Sequence, residues 1–184
     1  MSETNQTPHG SVGMFYGSDS GNTERIADLL CEQLESLQLT PVNIDDCTVE
    51  DMMKYDVLIL GVSTWNFGEI QASWEDKLED LAEQDFAGKR VAIFGLGDCV
   101  DYADTFVDGM GILWESLGQE RPQLIGKWPT EGYTFSESQG LLDEKTFLGL
   151  VIDEETEPEF TDDRIARWVT QLKQELGLEL KAAS

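Results

Sequence analysis

Histidine is all but absent from this chain of 184 residues: His9 is the only one, and it lies near the start. A His-based metal centre and a Ser-His-Asp mechanism are thereby excluded. The three cysteines, Cys31, Cys47 and Cys99, are odd in number and show no Cys-x-x-Cys spacing. That argues against a disulfide framework and against a zinc or iron–sulfur site. No apolar run approaches the roughly 18 residues of a membrane span. The opening "MSETNQTPHG" has neither a charged n-region nor a hydrophobic h-region. The expectation is a soluble cytoplasmic protein with a loose tail over residues 1–10. Cations are scarce too: 12 Lys and Arg stand against 37 Asp and Glu, a formal net charge of -25. Such a surface repels nucleic acid and anionic membrane and speeds encounter with a basic partner. Solubility, or adaptation to a salty cytoplasm, explains the same charge.

What is present suits one ordinary domain, long enough to bury a core without staples. Apolar residues make up 40% and aromatics 9%, a globular composition. Strand-like and helix-like stretches alternate, with no repeat or linker between them. "SVGMFYG" (11–17) reads as a buried strand. From Asn22 to Gln38 a helical stripe runs through Ile26, Ala27, Leu30, Leu34 and Leu37. "LTPVNI" (39–44) is a weaker strand whose Pro41 suggests an edge. "YDVLILGVS" (55–63) is a continuous apolar run, as in a parallel strand covered on both faces. A helix with Trp74, Leu78 and Leu81 follows, then the strand "RVAIFGLG" (90–97). A helix with Phe106, Met110, Leu113 and Leu117 comes next. "PQLIGKW" (122–128) and "FLGLVID" (147–153) read as strand. The closing helix carries Trp168, Val169, Leu172 and Leu176, with Thr161 as N-cap and Phe160 and Ile165 as a hydrophobic staple.

This rhythm predicts an α/β fold, a doubly wound parallel sheet of five strands in the order 2-1-3-4-5 with helices on both faces. Ligands bind such sheets beyond the carboxyl ends of the strands, at the switch between strands 1 and 3. The loops after residues 17, 63 and 97 are therefore the ones to inspect.

The first is "SDSGNT" (18–23), placed at a helix start, where unpaired N–H groups and a partial positive charge suit a phosphate. Ser18, Ser20 and Thr23 add hydroxyls, Asn22 an amide, and Gly21 a backbone that can come close. A Walker loop would need a lysine after Gly21, and a dinucleotide fingerprint would need Gly-x-Gly-x-x-Gly; both are missing. The pattern favours a monophosphate wrapped by neutral donors over ordinary helix capping. Asp19 is the anomaly, an anion beside an anion, and is expected to face solvent. The second loop, "STWNFGE" (63–69), and the third, "GLGDCVDYADTF" (95–106), set Trp65, Phe67 and Tyr102 at the ligand edge. Two aromatics from adjacent loops can wall a slot for a flat ring. Phosphate at one end and a flat heterocycle at the other suggest flavin mononucleotide, FMN.

These residues resemble a known family. From about residue 11 to the last helix the chain is similar to long-chain flavodoxins: Phe15, Tyr16, Ser18, Gly21, Thr23 and Ala27 fit the phosphate signature, and "TWNFGE" and "GLGDCVDYADTF" the two flavin-flanking loops. "GKWPTEGYTFSES…FLGLVIDEE" resembles the insertion, about 128–147 here, that interrupts the fifth strand in the long-chain class. The resemblance implies a three-layer flavodoxin-like sandwich over 11–180. It implies that Ser18, Asp19, Ser20, Gly21, Asn22 and Thr23 hold the phosphate. Thr64, Trp65, Asn66, Phe67 and Gly68 would line one side of the ring. Gly97, Asp98, Cys99 and Val100 would give backbone contacts to the pyrimidine edge, with Tyr102 stacked on the other face. Leu96 stands where a hydroxyl residue is common and Cys99 where glutamine is, the latter putting an oxidisable group beside the ring.

The implied function is a low-potential one-electron carrier whose FMN cycles between semiquinone and hydroquinone. It would have no substrate of its own, and its partner would be an NADPH-dependent ferredoxin/flavodoxin reductase or another redox protein with a basic patch. A carboxylate about 10–12 Å from an anionic reduced flavin opposes it by roughly 0.7 kcal/mol at an effective dielectric of about 40. That is about 30 mV for one electron. A flip of the Asn66–Phe67 peptide, eased by Gly68, would turn the Asn66 carbonyl towards flavin N5. Two other readings stay open: an NAD(P)H:quinone reductase of the same fold, and a flavin-free signalling module. A monomer is expected.

Overall fold

The computed structural model describes residues 9–118 and 121–178. Five parallel rows make the main sheet. β1 (Val12–Tyr16) lies between β2 (Pro41–Asn43) at the edge and β3 (Val57–Trp65), and β3 pairs in turn with β5 (Arg90–Leu96). The fifth row is in two pieces. β6 (Gln123–Ile125) pairs with the first half of β5, Arg90 opposite Gln123, and β10 (Leu150–Ile152) with its second half, Ile152 opposite Leu96. The order is thus the anticipated 2-1-3-4-5, and Pro41 does sit on an edge strand. Val57 to Leu60 and Val62 have no exposed surface, as parallel strands sandwiched between helices require.

Strand alternation places the helices. Phe94 packs edge-on to Trp168 of α6 (Thr161–Glu175), at a centroid distance of 6.4 Å. Its neighbour Gly95 faces the other way, where an added Cβ would lie 2.3 Å from Met110 Sδ of α5 (Asp108–Glu115). The two helices therefore cover opposite faces. α1 (Asn22–Gln33) lies beside α6 and buries Ile26, Ala27 and Leu30.

Several boundaries differ from expectation. α1 stops at Gln33; a 3-10 turn over Glu35–Leu37 replaces its last turn, and Gln38 closes it in a left-handed conformation, φ 51. The tighter turn still carries Leu37 against the core, because a spacing of three eclipses side chains there. The helix expected around Trp74 is two short ones, α3 (Ala72–Glu75) and α4 (Leu78–Ala82), broken at Lys77, whose Nζ donates to the Cys47 carbonyl at 3.1 Å. A short helix α2 (Val49–Met52) was not anticipated, though Thr48 and Asp51 form a full capping box at its start. Thr161 is not an N-cap: it is the first residue of α6, follows a 3-10 turn (Pro158–Phe160), and donates its hydroxyl to Glu154. No staple forms either, since Phe160 is 46% exposed, its ring 5.1 Å from the Arg164 guanidinium.

The two runs read as whole strands each break at a glycine. After β6, Gly126 (φ 71) turns the chain out of the sheet into β7 (Trp128–Pro129). β7 pairs with β9 (Thr146–Phe147), which pairs with β8 (Leu141–Asp143), as a separate antiparallel sheet. Of the expected N-terminal tail, residues 1–8 lie outside the described residues, and His9 is tied down, its carbonyl accepting from Arg90 at 2.7 Å. Among the described residues no helix is long and apolar enough to cross a membrane.

Candidate functional site

α1 begins on Gly21, whose φ of 88 only glycine adopts readily, and no side chain caps it. The loop's one hydroxyl bond of this kind points backwards, with Ser18 Oγ accepting from the Gly21 N–H at 3.0 Å. Ordinary capping therefore does not account for the run of hydroxyl residues. The first-turn N–H groups and the positive end of the helix are left facing the cleft, as an anion site requires. Asp19 is exposed but not idle: its Oδ1 accepts at 3.0 Å from Gln71, a fully buried amide that also bonds Ser73 and the Trp74 N–H. Gln71 thus ties the loop to the start of α3.

A cleft of about 370 Å³ opens beyond the carboxyl ends of β1, β3, β5 and β10. It brings together Ser20, Asn22 and Thr23 from the first loop with Thr64, Trp65 and Asn66 from the second, and Leu96, Gly97, Asp98 and Tyr102 from the third. Trp65 is held by an indole N–H bond to Ser63 Oγ at 2.9 Å. Thr64 Oγ1 accepts from the Gly109 N–H at 2.9 Å, fixing the end of β3 to the start of α5. Asn66 is left-handed, φ 47, and heads a turn closed by the Gly68 N–H on the Trp65 carbonyl at 3.2 Å. β3 then runs back antiparallel as β4 (Glu69–Ile70).

The remaining predicted residues stand elsewhere. Ser18, Asp19 and Gly21 lie behind the nest and do not line the cleft. Phe67 is 88% exposed on the rim and meets Tyr102 edge-on at 6.4 Å instead of walling the slot. Gly68 is buried beneath the turn, and Val100 is exposed. Three of the backbone donors expected of the third loop are spent inside the chain. Gly97 N–H goes to the Ile152 carbonyl (3.2 Å), Cys99 N–H to Asp153 Oδ2 (2.9 Å) and Val100 N–H to Asp98 Oδ1 (2.9 Å). The Cys99 thiol is buried against Thr156 and does not line the cleft; burial pushes it up to about 11.

Residues not anticipated also line the cleft: Ser63, Thr105, Phe106, Val107, Glu154 and Glu155. The two glutamates follow the fifth strand, so the same carboxyl-end rule, applied to that strand as well, would have found them. Glu154 pairs with Arg25 of α1, which joins the nest to this loop. The donor set fits FMN at two places, an uncapped helix start with hydroxyls for the phosphate and an indole and a phenol in the same lining for the ring. Three of the four backbone donors expected of the third loop, at Gly97, Cys99 and Val100, are thus taken within the chain, while Asp98 lines the cleft.

Comparison with known proteins gives the same answer from independent material. A family model described as flavodoxin matches residues 14–168. A flavodoxin of Haemophilus influenzae is 45% identical over 167 residues, covering 91% of this chain and 96% of that protein. One from Klebsiella pneumoniae is 44% identical over 168 residues, with 91% and 96% covered. The crystal structure of Fusobacterium nucleatum flavodoxin bound to flavin mononucleotide superposes with a TM-score of 0.84 at 30% identity, covering 90% of this chain and 98% of that one. With the parallel sheet in its expected order and relatives matched over nine-tenths of its length, the chain belongs to the flavodoxin family.

Proposed function

We propose that this chain is an FMN-based, low-potential one-electron carrier of the long-chain class, with no substrate of its own. The observation that carries this reading is the juxtaposition of an uncapped helix start with Trp65 and Tyr102 in one cleft. FMN, when bound, supplies the redox centre that takes up and releases single electrons. Ser20, Asn22 and Thr23, with the first-turn N–H groups of α1, would hold its phosphate without a countercharge, and Ser18 would brace the loop from behind through the Gly21 N–H. Trp65 and Tyr102, both in the cleft lining, would cover the ring and keep water from it. Asn66, left-handed at the head of its turn and lining the cleft, would be the backbone position that meets the edge of the ring.

The charge of the chain tunes that chemistry. Asp98, Glu154 and Glu155 line the cleft, and among the described residues no lysine or arginine does. Each carboxylate opposes the gain of negative charge within the cleft, which lowers the potential at which an electron is accepted. The same acidity favours a partner that presents a basic patch, such as an NADPH-dependent ferredoxin/flavodoxin reductase in the cytoplasm, meeting this protein as a monomer. The segment 128–147 is read as the insertion of the long-chain class. Purified protein titrated with FMN tests the proposal. It should bind one FMN per chain, turn yellow, and oxidise NADPH only when a reductase is added. A colourless protein that takes up no FMN, or steady NADPH oxidation by the protein alone, overturns it.

A further inference from the structure

Asp108 opens α5 and is 4% exposed, yet among the described residues it has no ion-pair partner within 4.0 Å. A buried carboxylate without a cation is costly to keep, so what it touches matters. Both its oxygens accept from one residue: Oδ1 from the Gln139 N–H at 2.6 Å and Oδ2 from the Gln139 side-chain amide at 3.1 Å. Gln139 lies in the segment between β7 and β8, none of whose residues lines the cleft. On its other side the carboxylate presses on the turn that does: a Cβ built on Gly68 would lie 2.7 Å from Asp108 Oδ2. Gly68 (φ 95) ends the turn that carries Trp65 and Asn66. The residue before Asp108, Val107, is left-handed at φ 50, an unusual state for a β-branched side chain, and it lines the cleft. Further bonds hold that stretch against the inserted segment: Ser136 N–H to the Ala103 carbonyl at 2.8 Å, and Phe106 N–H to the Glu137 carbonyl at 3.3 Å.

We propose that Asp108 is a positioning residue: held by Gln139, its carboxylate is the floor under the Trp65–Gly68 turn, and through it the inserted segment sets the conformation of a cleft wall it never touches. The effect on ligand binding rests on the FMN reading above; the effect on the turn does not. Asp108→Asn cannot accept from Gln139 through both terminal atoms, because one of them becomes a donor. Gln139→Ala removes one of the two bonds while leaving Asp108 and the cleft lining intact. Leu142→Ala, on the exposed face of the same segment, is the control.

Hydrogen exchange on the FMN-free proteins reads the turn directly. Peptides spanning 64–70 should exchange at least tenfold faster in Gln139→Ala and in Asp108→Asn, with 57–62 unchanged and Leu142→Ala like the parent. FMN binding should weaken roughly tenfold, equivalent to about 1.4 kcal/mol. The separation between the first and second one-electron midpoint potentials should also move in both variants. Unchanged exchange at the turn, or an equal rise across 57–62 that marks general loosening, overturns the proposal. If the parent binds no FMN but the exchange pattern holds, the floor under the turn stands and the carrier reading falls.

Discussion

Asp153 has no exposed surface, yet it keeps a charge. Burial works to push its carboxyl up, but the N–H groups of Cys99 and Thr156 and the Thr156 hydroxyl outweigh it and hold the group below the usual carboxylate range. A carboxyl with a folded pKa below its unfolded one stabilises the fold above the unfolded value, near 4. That stabilisation is lost as pH falls through the folded value. Asp153→Asn should therefore cost about 1–3 kcal/mol at pH 7, the penalty for a mismatched buried hydrogen bond. The gap from the parent should hold above about pH 4 and narrow as the pH falls below it. Urea melts of both proteins above and below that pH check this; a gap that stays constant with pH contradicts it. The same residue shows what the sequence around Cys99 leaves out. Its N–H is claimed by a carboxylate 54 positions later, a contact that spacing along the chain cannot reveal.

Elements show a similar division. β3 and β5 were legible because a parallel strand under two helix layers needs unbroken apolar residues, and those runs have few other uses. The three ligand loops were legible because topology alone fixes their place. Helix ends were not. α1 yields its last turn to a 3-10 turn without any glycine or proline to announce it. The fifth row read as two full strands because Gly126 and Gly149 sit inside apolar runs. Gly149 shows what such a glycine does: an added Cβ would lie 1.8 Å from the Ile93 carbonyl oxygen, so the chain enters β10 pressed against the backbone of β5. Gly149→Ala must push two strands apart. It should lower stability by more than about 2 kcal/mol, within the range for overpacked cores. Gly132→Ala, with open space at its Cβ but a φ of 89, should cost about 1 kcal/mol. Thermal melts of the two variants decide; equal losses contradict the close approach at Gly149.

Over the whole molecule acids outnumber bases by 37 to 12, and among the described residues five ion pairs join a carboxylate to a cation. Arg25–Glu154 and Arg164–Glu157 join loops to helices, whereas Arg167–Asp163 lies within α6 and Lys54–Asp51 spans the end of α2. A net charge of -25 on one domain repels itself, so salt should stabilise the fold. The melting midpoint should rise by several degrees between about 20 mM and 500 mM sodium chloride, where the Debye length falls well below 10 Å. A midpoint that falls with salt contradicts the view that repulsion outweighs the ion pairs.

The central claim is that the start of α1 grips a phosphate while Trp65 and Tyr102 hold the ring attached to it. The most direct measurement is the Kd of FMN beside that of riboflavin, which carries the same ring without the phosphate. FMN should bind at least a hundredfold more tightly, a difference of about 2.7 kcal/mol. Thr23→Ala should shrink that ratio by weakening FMN alone, and Tyr102→Ala should weaken both flavins. Equal affinity for the two flavins, or a ratio that Thr23→Ala leaves untouched, would contradict the account.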